Sequence, residues 1–116
     1  MATFAFGVFT LDSDRFELRR NGRLVPMQRQ VFQALGYLLR HRDRVVSKDE
    51  LLREAWPGVV VTQGAVSQVI SLARRAVDDD GDKQAVIQTV RGLGFRFVAE
   101  ARERGARPSE TMPAVP

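Results

Sequence analysis

TVRGLGFRF, residues 89–97, has two strand-like halves and a turn between them. Thr89-Val90 leads in, Arg91-Gly92-Leu93-Gly94 reads as a tight turn, and Phe95-Arg96-Phe97 leads out. With Ala85 and Val86 ahead of it, the stretch predicts a closing β-hairpin with an arginine at its tip. Alternation points Phe95 and Phe97 to one face, toward a core. What the arginine is for depends on the segments upstream.

Immediately upstream the period changes from two to nearly four. Val66, Ile70, Ala73 and Val77 fall at i, i+4, i+7 and i+11, one narrow apolar stripe of a helix. Thr62, a hydroxyl residue just ahead of the stripe, is its expected N-cap. The opposite side carries Gly64, Ser67, Gln68, Ser71, Arg74 and Arg75: small polar residues first, two arginines last. Asp78-Asp79-Asp80-Gly81-Asp82 breaks the helix and reads as a solvated acidic turn.

Before it, Ser47-Lys48-Asp49-Glu50 fits a capping box, with Glu50 reaching back to the cap. The helix it opens, about 48–56, buries Leu51, Leu52, Ala55 and Trp56 and stops at Pro57-Gly58. An earlier helix, about 28–41, turns Phe32, Leu35, Leu38 and Leu39 to one face. Gly36 within it sacrifices about 1 kcal/mol against alanine, which predicts a close neighbour there. Arginines crowd its C-terminal end, where the helix dipole favours cations.

The chain opens with strands. Residues 4–11, FAFGVFTL, suit one strand or two, and 16–20 alternate apolar and polar. Asn21-Gly22 between alternating runs is the strongest short hairpin signal, since both turn positions need positive φ. The predicted class is α+β: an N-terminal antiparallel sheet, three helices and a C-terminal hairpin. Residues 1–99 form that domain, and 100–116, with Gly105, Pro108, Pro113 and Pro116 and little to bury, read as a linker or disordered tail.

Composition narrows the chemistry. The chain of 116 residues carries a net charge of +4, and its last 17 residues contribute three Glu and three Arg, so the excess lies in 1–99. A basic balance favours polyanionic partners. Cysteine is absent, which excludes disulfides and thiolate metal sites and suits a reducing, cytoplasmic setting. No apolar run approaches the roughly 18 residues that cross a bilayer, so no membrane contact is expected within this chain. His41 is the lone histidine, and no nucleophile elbow or phosphate-cradling loop stands anywhere. No metal, cofactor or catalysis is expected.

Two helices joined by the short connection 57–61, the second with a polar and basic outer face, make a helix-turn-helix with an added hairpin. Such a helix fits the major groove of duplex DNA. Gln68 can pair with adenine, and Ser67 and Ser71 can meet a base or a phosphate. Arg74 and Arg75 suit phosphates or guanine. The candidate site therefore comprises Thr62, Gln63, Gly64, Ser67, Gln68, Ser71, Arg74, Arg75, Thr89, Arg91 and Gly92. Arg91 is the side chain to enter a narrow minor groove, Gly92 keeps the turn slim, and Thr89 can donate to a phosphate. The alternative is a winged helix that binds a protein partner without strong DNA binding. RNA binding lacks the exposed aromatic platform it would need.

Three phrases carry a family likeness: RVVSKDELLREAW (44–56), VSQVISLARRAV (66–77) and IQTVRGLGFRF (87–97). Residues 4–99 resemble the OmpR-like winged-helix effector domain, the trans-regulatory C-terminal type, here in the N-terminal arrangement of ToxR- and CadC-like activators. The last phrase is similar to the family's T-V-R-G-x-G-[YF]-R-[FL] wing. The resemblance implies a bacterial transcription regulator that reads double-stranded DNA. It makes 63–77 the recognition helix and Arg91 the minor-groove arginine. It also implies tandem half-sites bound by a head-to-tail dimer, and a 57–61 turn that can touch RNA polymerase. With Met1 only a few residues before the first strand, no receiver domain is expected ahead of the fold and control by phosphorylation within the chain is not expected.

Overall fold

The computed structural model describes residues 3–56 and 61–104. They divide into two compact units, one of residues up to 26 with those from 100 onward, the other of residues 27–99.

The first unit is an antiparallel sheet. Strands β1 (Thr3–Phe6), β2 (Phe9–Asp12), β3 (Glu17–Arg20) and β4 (Arg23–Val25) follow one another as a meander. Phe4 pairs with Leu11, Leu11 with Leu18 and Leu18 with Val25, so one row crosses four strands on one face. Phe4, Leu11 and Leu18 of that row are buried, as strict alternation requires. Asn21 and Gly22 both have positive φ, +51° and +82°, the backbone that a two-residue hairpin needs.

One strand was not legible. Residues Arg102–Arg104, assigned above to the tail, form β7 and pair with β1 at the sheet edge. Backbone bonding needs no apolar side chain, so composition does not reveal it.

The second unit holds α1 (Arg29–Arg40), α2 (Lys48–Glu50), α3 (Gln63–Ala76), and the hairpin β5 (Ile87–Val90) with β6 (Gly94–Phe97). α1 buries Phe32, Leu35, Leu38 and Leu39 as its period demands. The Arg42 guanidinium donates to the Leu39 carbonyl at 2.9 Å, satisfying one of the carbonyls a helix end leaves open. The close neighbour expected at Gly36 is absent: a Cβ there would meet only the Arg40 guanidinium, at an ordinary 3.5 Å.

The second helix is shorter and less regular than its period suggests. After three α-helical residues it widens into a π-helical turn, Leu51–Ala55. Trp56 follows, buried, with its indole Nε1 donating to the Gln30 carbonyl at 2.9 Å. It is a core residue whose one polar atom is already used.

Ser47 caps α2 as expected, its Oγ accepting from the Glu50 N–H at 3.0 Å. Glu50 does not reach back to complete the box. Its carboxylate takes a forked pair of bonds from Arg44 (2.8 and 2.5 Å) and one from the Tyr37 hydroxyl. A bidentate, charge-assisted pair outcompetes one neutral backbone N–H. The Arg44 guanidinium holds the Glu50 carboxyl at about 2, against an ordinary 4.5, while burial opposes it and Tyr37 assists. A group whose pKa is depressed by folding stabilises fully above its unfolded value and loses that contribution as pH falls toward the folded one. Stability should therefore decline from about pH 4.5 toward pH 2, and Glu50→Gln should flatten that limb in denaturant titrations at stepped pH.

Candidate nucleic-acid interface

α3 is capped by Thr62, whose Oγ1 accepts from the Ala65 N–H at 3.2 Å. Val66, Val69, Ile70, Ala73 and Val77 are buried, which holds the helix by one face. Gly64, Ser67, Gln68, Ser71 and Arg75 are exposed on the other, at spacings of three, one, three and four. Thr62 and Gln63 are exposed at its start. A Cβ at Gly64 would meet nothing within 4 Å, so its small size leaves the helix surface open there.

Arg74 does not belong to that face. Only 7% of it is exposed, and its side chain runs to the hairpin. Nε donates to the Ile87 carbonyl at 3.0 Å and Nη2 to the Thr89 hydroxyl oxygen at 2.7 Å. Placing it with Arg75 on the outer surface was an error. The spacing held the correction: 74 follows the buried Ile70 by four and precedes the buried Val77 by three. Its charge makes it read as solvated, but its position puts it beneath the helix. A long guanidinium can occupy such a site because its donors find acceptors on the neighbouring strand. Thr89 is thus already engaged as an acceptor, with its own proton still to give.

α3 ends in a left-handed residue. Asp78 has φ +60°, its N–H bonds to the Arg75 carbonyl at 3.2 Å, and the next N–H, of Asp79, bonds to the Arg74 carbonyl at 2.8 Å. This is a Schellman stop, with aspartate where glycine is commoner. Asp79 corrects the reading of a solvated acidic turn. It is buried, and its two carboxylate oxygens accept the N–H groups of Ala85, Val86 and Ile87 at 2.8–3.0 Å. Burial pushes its pKa up, yet these backbone donors win and hold it below the ordinary value. The aspartate fixes the start of β5 against the end of α3.

The hairpin turn is Arg91-Gly92-Leu93, all exposed. The Leu93 N–H closes it on the Val90 carbonyl at 2.9 Å, and Gly92, third of the four turn residues, has φ +78°. That is the conformation of a type II turn, which calls for glycine there. Phe95 and Phe97 are buried. Val46 and Phe95 exchange two backbone bonds, 2.7 and 2.8 Å, so the strand leaving the turn is pinned to the segment that opens α2.

The pinning forms a cleft of about 480 Å³ between residues 47–49 and the turn at 89–95. Lys48 and Asp49 line it from one side, Arg91 and Leu93 from the other. Asp49 also accepts a bond from the Gln63 amide at 3.3 Å, so the start of α3 is linked to the cleft wall. The sequence reading overlooked Lys48 and Asp49. A basic residue directly after a helix cap, in the helix preceding α3, was the available signal. The polymerase-facing turn inferred at 57–61 has its residues 57–60 outside the described residues. Among the described residues, no helix is long and apolar enough to cross a membrane.

Residues 22–97 match the family model described as transcriptional regulatory protein, C terminal. This chain belongs to that family. It is an OmpR/PhoB-type winged-helix DNA-binding domain of a transcriptional regulator. Among curated relatives, the transcriptional activator CadC of Escherichia coli is 31% identical over 83 residues, 71% of this chain and 16% of CadC. The transcriptional regulatory protein YvrH of Bacillus subtilis is 31% identical over 98 residues, 83% of this chain and 41% of YvrH. The chain thus spans less than half the length of either relative. Among solved structures, the DNA-binding domain of E. coli CadC superposes with a TM-score of 0.76 at 26% identity, covering 90% of this chain and 98% of that one. The Klebsiella pneumoniae RstA DNA-binding domain, solved in complex with the RstA box, gives 0.72 at 28% identity, covering 82% and 95%.

Proposed function

We propose that this winged-helix domain reads a specific double-stranded sequence by laying α3 in the major groove and the wing turn along the adjacent minor groove. The observation that carries the reading is the shared neighbourhood of three elements. The start of α3 is bonded to Asp49, Asp49 lines the cleft, and Arg91 faces it from the wing. Ser67, Gln68 and Ser71 present short polar groups to base edges. Arg75 and Lys48 neutralise phosphates, the first beyond the base-reading turn and the second where the strand between the grooves passes the cleft. Arg91 enters the minor groove, with Gly92 leaving room for the sugar-phosphate chain. Arg74 is not a contact but the tie that holds wing to helix. The domain acts by binding and not by catalysis, in the cytoplasm. A head-to-tail pair on tandem half-sites and a contact to RNA polymerase complete the proposal. Support for the DNA partner comes from the RstA domain, which was solved on its own box.

The test is binding to a duplex recovered by random-sequence selection. Log affinity should fall steeply and linearly with log salt, each phosphate contact adding about 0.9 to the slope. Arg91→Ala should lose most on A·T-rich flanks, whereas Gln68→Ala should relax preference at one position by about 1–3 kcal/mol. A flat salt response, or equal losses on every sequence, contradicts the assignment. A protein partner retained at high salt, with no duplex shifted, would favour the interaction-module alternative.

A further inference from the structure

Gln63, the first residue of α3, has its amide held. Its Nε2 donates to Asp49 Oδ1 at 3.3 Å, across from the start of α2. A carboxylate only accepts, so it binds the NH₂ edge of the amide and leaves the carbonyl oxygen Oε1 turned away from it. An unrestrained glutamine offers either edge to a base. Here one orientation is selected by a residue on a different helix.

We infer that Asp49 is a positioning residue for base discrimination, presenting Gln63 to the major groove with its acceptor forward. The inference rests on the proposed placement of α3 in that groove. Among major-groove edges, adenine N6 and cytosine N4 are the donors, whereas guanine N7 and O6 and thymine O4 are acceptors. An Oε1 fixed outward therefore bonds adenine N6 or cytosine N4 at the nearest base, whereas guanine or thymine meets a lone pair there and is left only the second N–H of the amide.

The experiment measures affinities of the whole chain for a panel of duplexes in which each base pair of the selected site is varied in turn. The wild type should prefer adenine or cytosine at one base by about tenfold. Asp49→Ala and Gln63→Ala should each reduce that preference to about threefold or less, at that position alone, and the double variant should go no further than either single one. Asp49→Asn, whose own NH₂ can pair with Oε1, should shift the preference toward guanine or thymine there. The inference is overturned if Asp49→Ala keeps the preference that Gln63→Ala loses. It is also overturned if Asp49→Ala weakens all duplexes equally, as a purely structural role would, or if Gln63→Ala alters no position. A wild-type chain that shifts no duplex would sink the DNA-reading proposal itself, and this inference with it, which is a different result from binding without the preference.

Discussion

Gly94→Ala is expected to melt far below the wild type. An added Cβ would lie 2.1 Å from the Val46 carbonyl oxygen and 2.7 Å from Ser47 Cα, both backbone atoms with no rotamer to escape into. The glycine also holds φ +151°, which an L side chain adopts only under strain. Relief requires Val46 and Phe95 to part, breaking the two backbone bonds that pin the wing. Strain and overpacking together amount to roughly 3 kcal/mol or more. A small domain has about 5–15 kcal/mol in all, so the melting temperature should fall on the order of 15 °C. Thermal unfolding followed by circular dichroism checks this. A variant melting within a few degrees of the wild type would show that the wing is not held at this approach. Gly92→Ala is the instructive contrast: it too has positive φ, but its Cβ would meet nothing within 4 Å, so its loss should be smaller.

Arg74→Ala and Arg75→Ala should behave oppositely, although the residues are neighbours with the same side chain. Arg74 is buried, and its removal takes a charged donor from the Ile87 carbonyl and from Thr89. Hydrogen bonds from charged donors contribute about 1.5–3 kcal/mol, and the lost packing of the stem adds to that. Stability should drop by roughly 2–4 kcal/mol. DNA affinity should drop too, because the wing is no longer fixed relative to α3. Arg75→Ala, at an exposed position, should leave stability within about 0.5 kcal/mol and reduce the salt slope of binding by about one. Denaturant unfolding and salt-dependent titration of the two variants separate these outcomes. If Arg74→Ala unfolds like the wild type while losing one unit of slope, then it contacts phosphate and the tie to the wing is unimportant.

Much of the architecture was legible because its causes are local. Val66, Ile70, Ala73 and Val77 announce the buried side of α3 through a period of 3.6, and Phe95 and Phe97 through a period of two. Asn21-Gly22 and Gly92 mark turns through the φ values they tolerate. Ser47 and Thr62 mark helix starts because a hydroxyl reaches an N–H three residues on. The outer face of α3 followed from the same stripe by exclusion, which is why Ser67, Gln68, Ser71 and Arg75 are exposed where the period puts them. Charge overrode period at Arg74, and composition overrode backbone pairing at residues 102–104.

What the amino-acid order determines here is the type and buried stripe of α1, α3, the opening meander and the closing hairpin, with the caps at Ser47 and Thr62, since these arise from interactions within about four residues. The tertiary structure alone decided how polar groups far apart in sequence were matched. Arg74 finds its acceptors 13 and 15 residues away, Asp79 takes the N–H groups at the start of β5, and Glu50 leaves its own cap for Arg44 and Tyr37. Gly94 owes its identity to Val46, a residue on another segment altogether. Buried donors and acceptors must be satisfied by whatever the fold brings beside them, and that neighbour is set by packing in three dimensions.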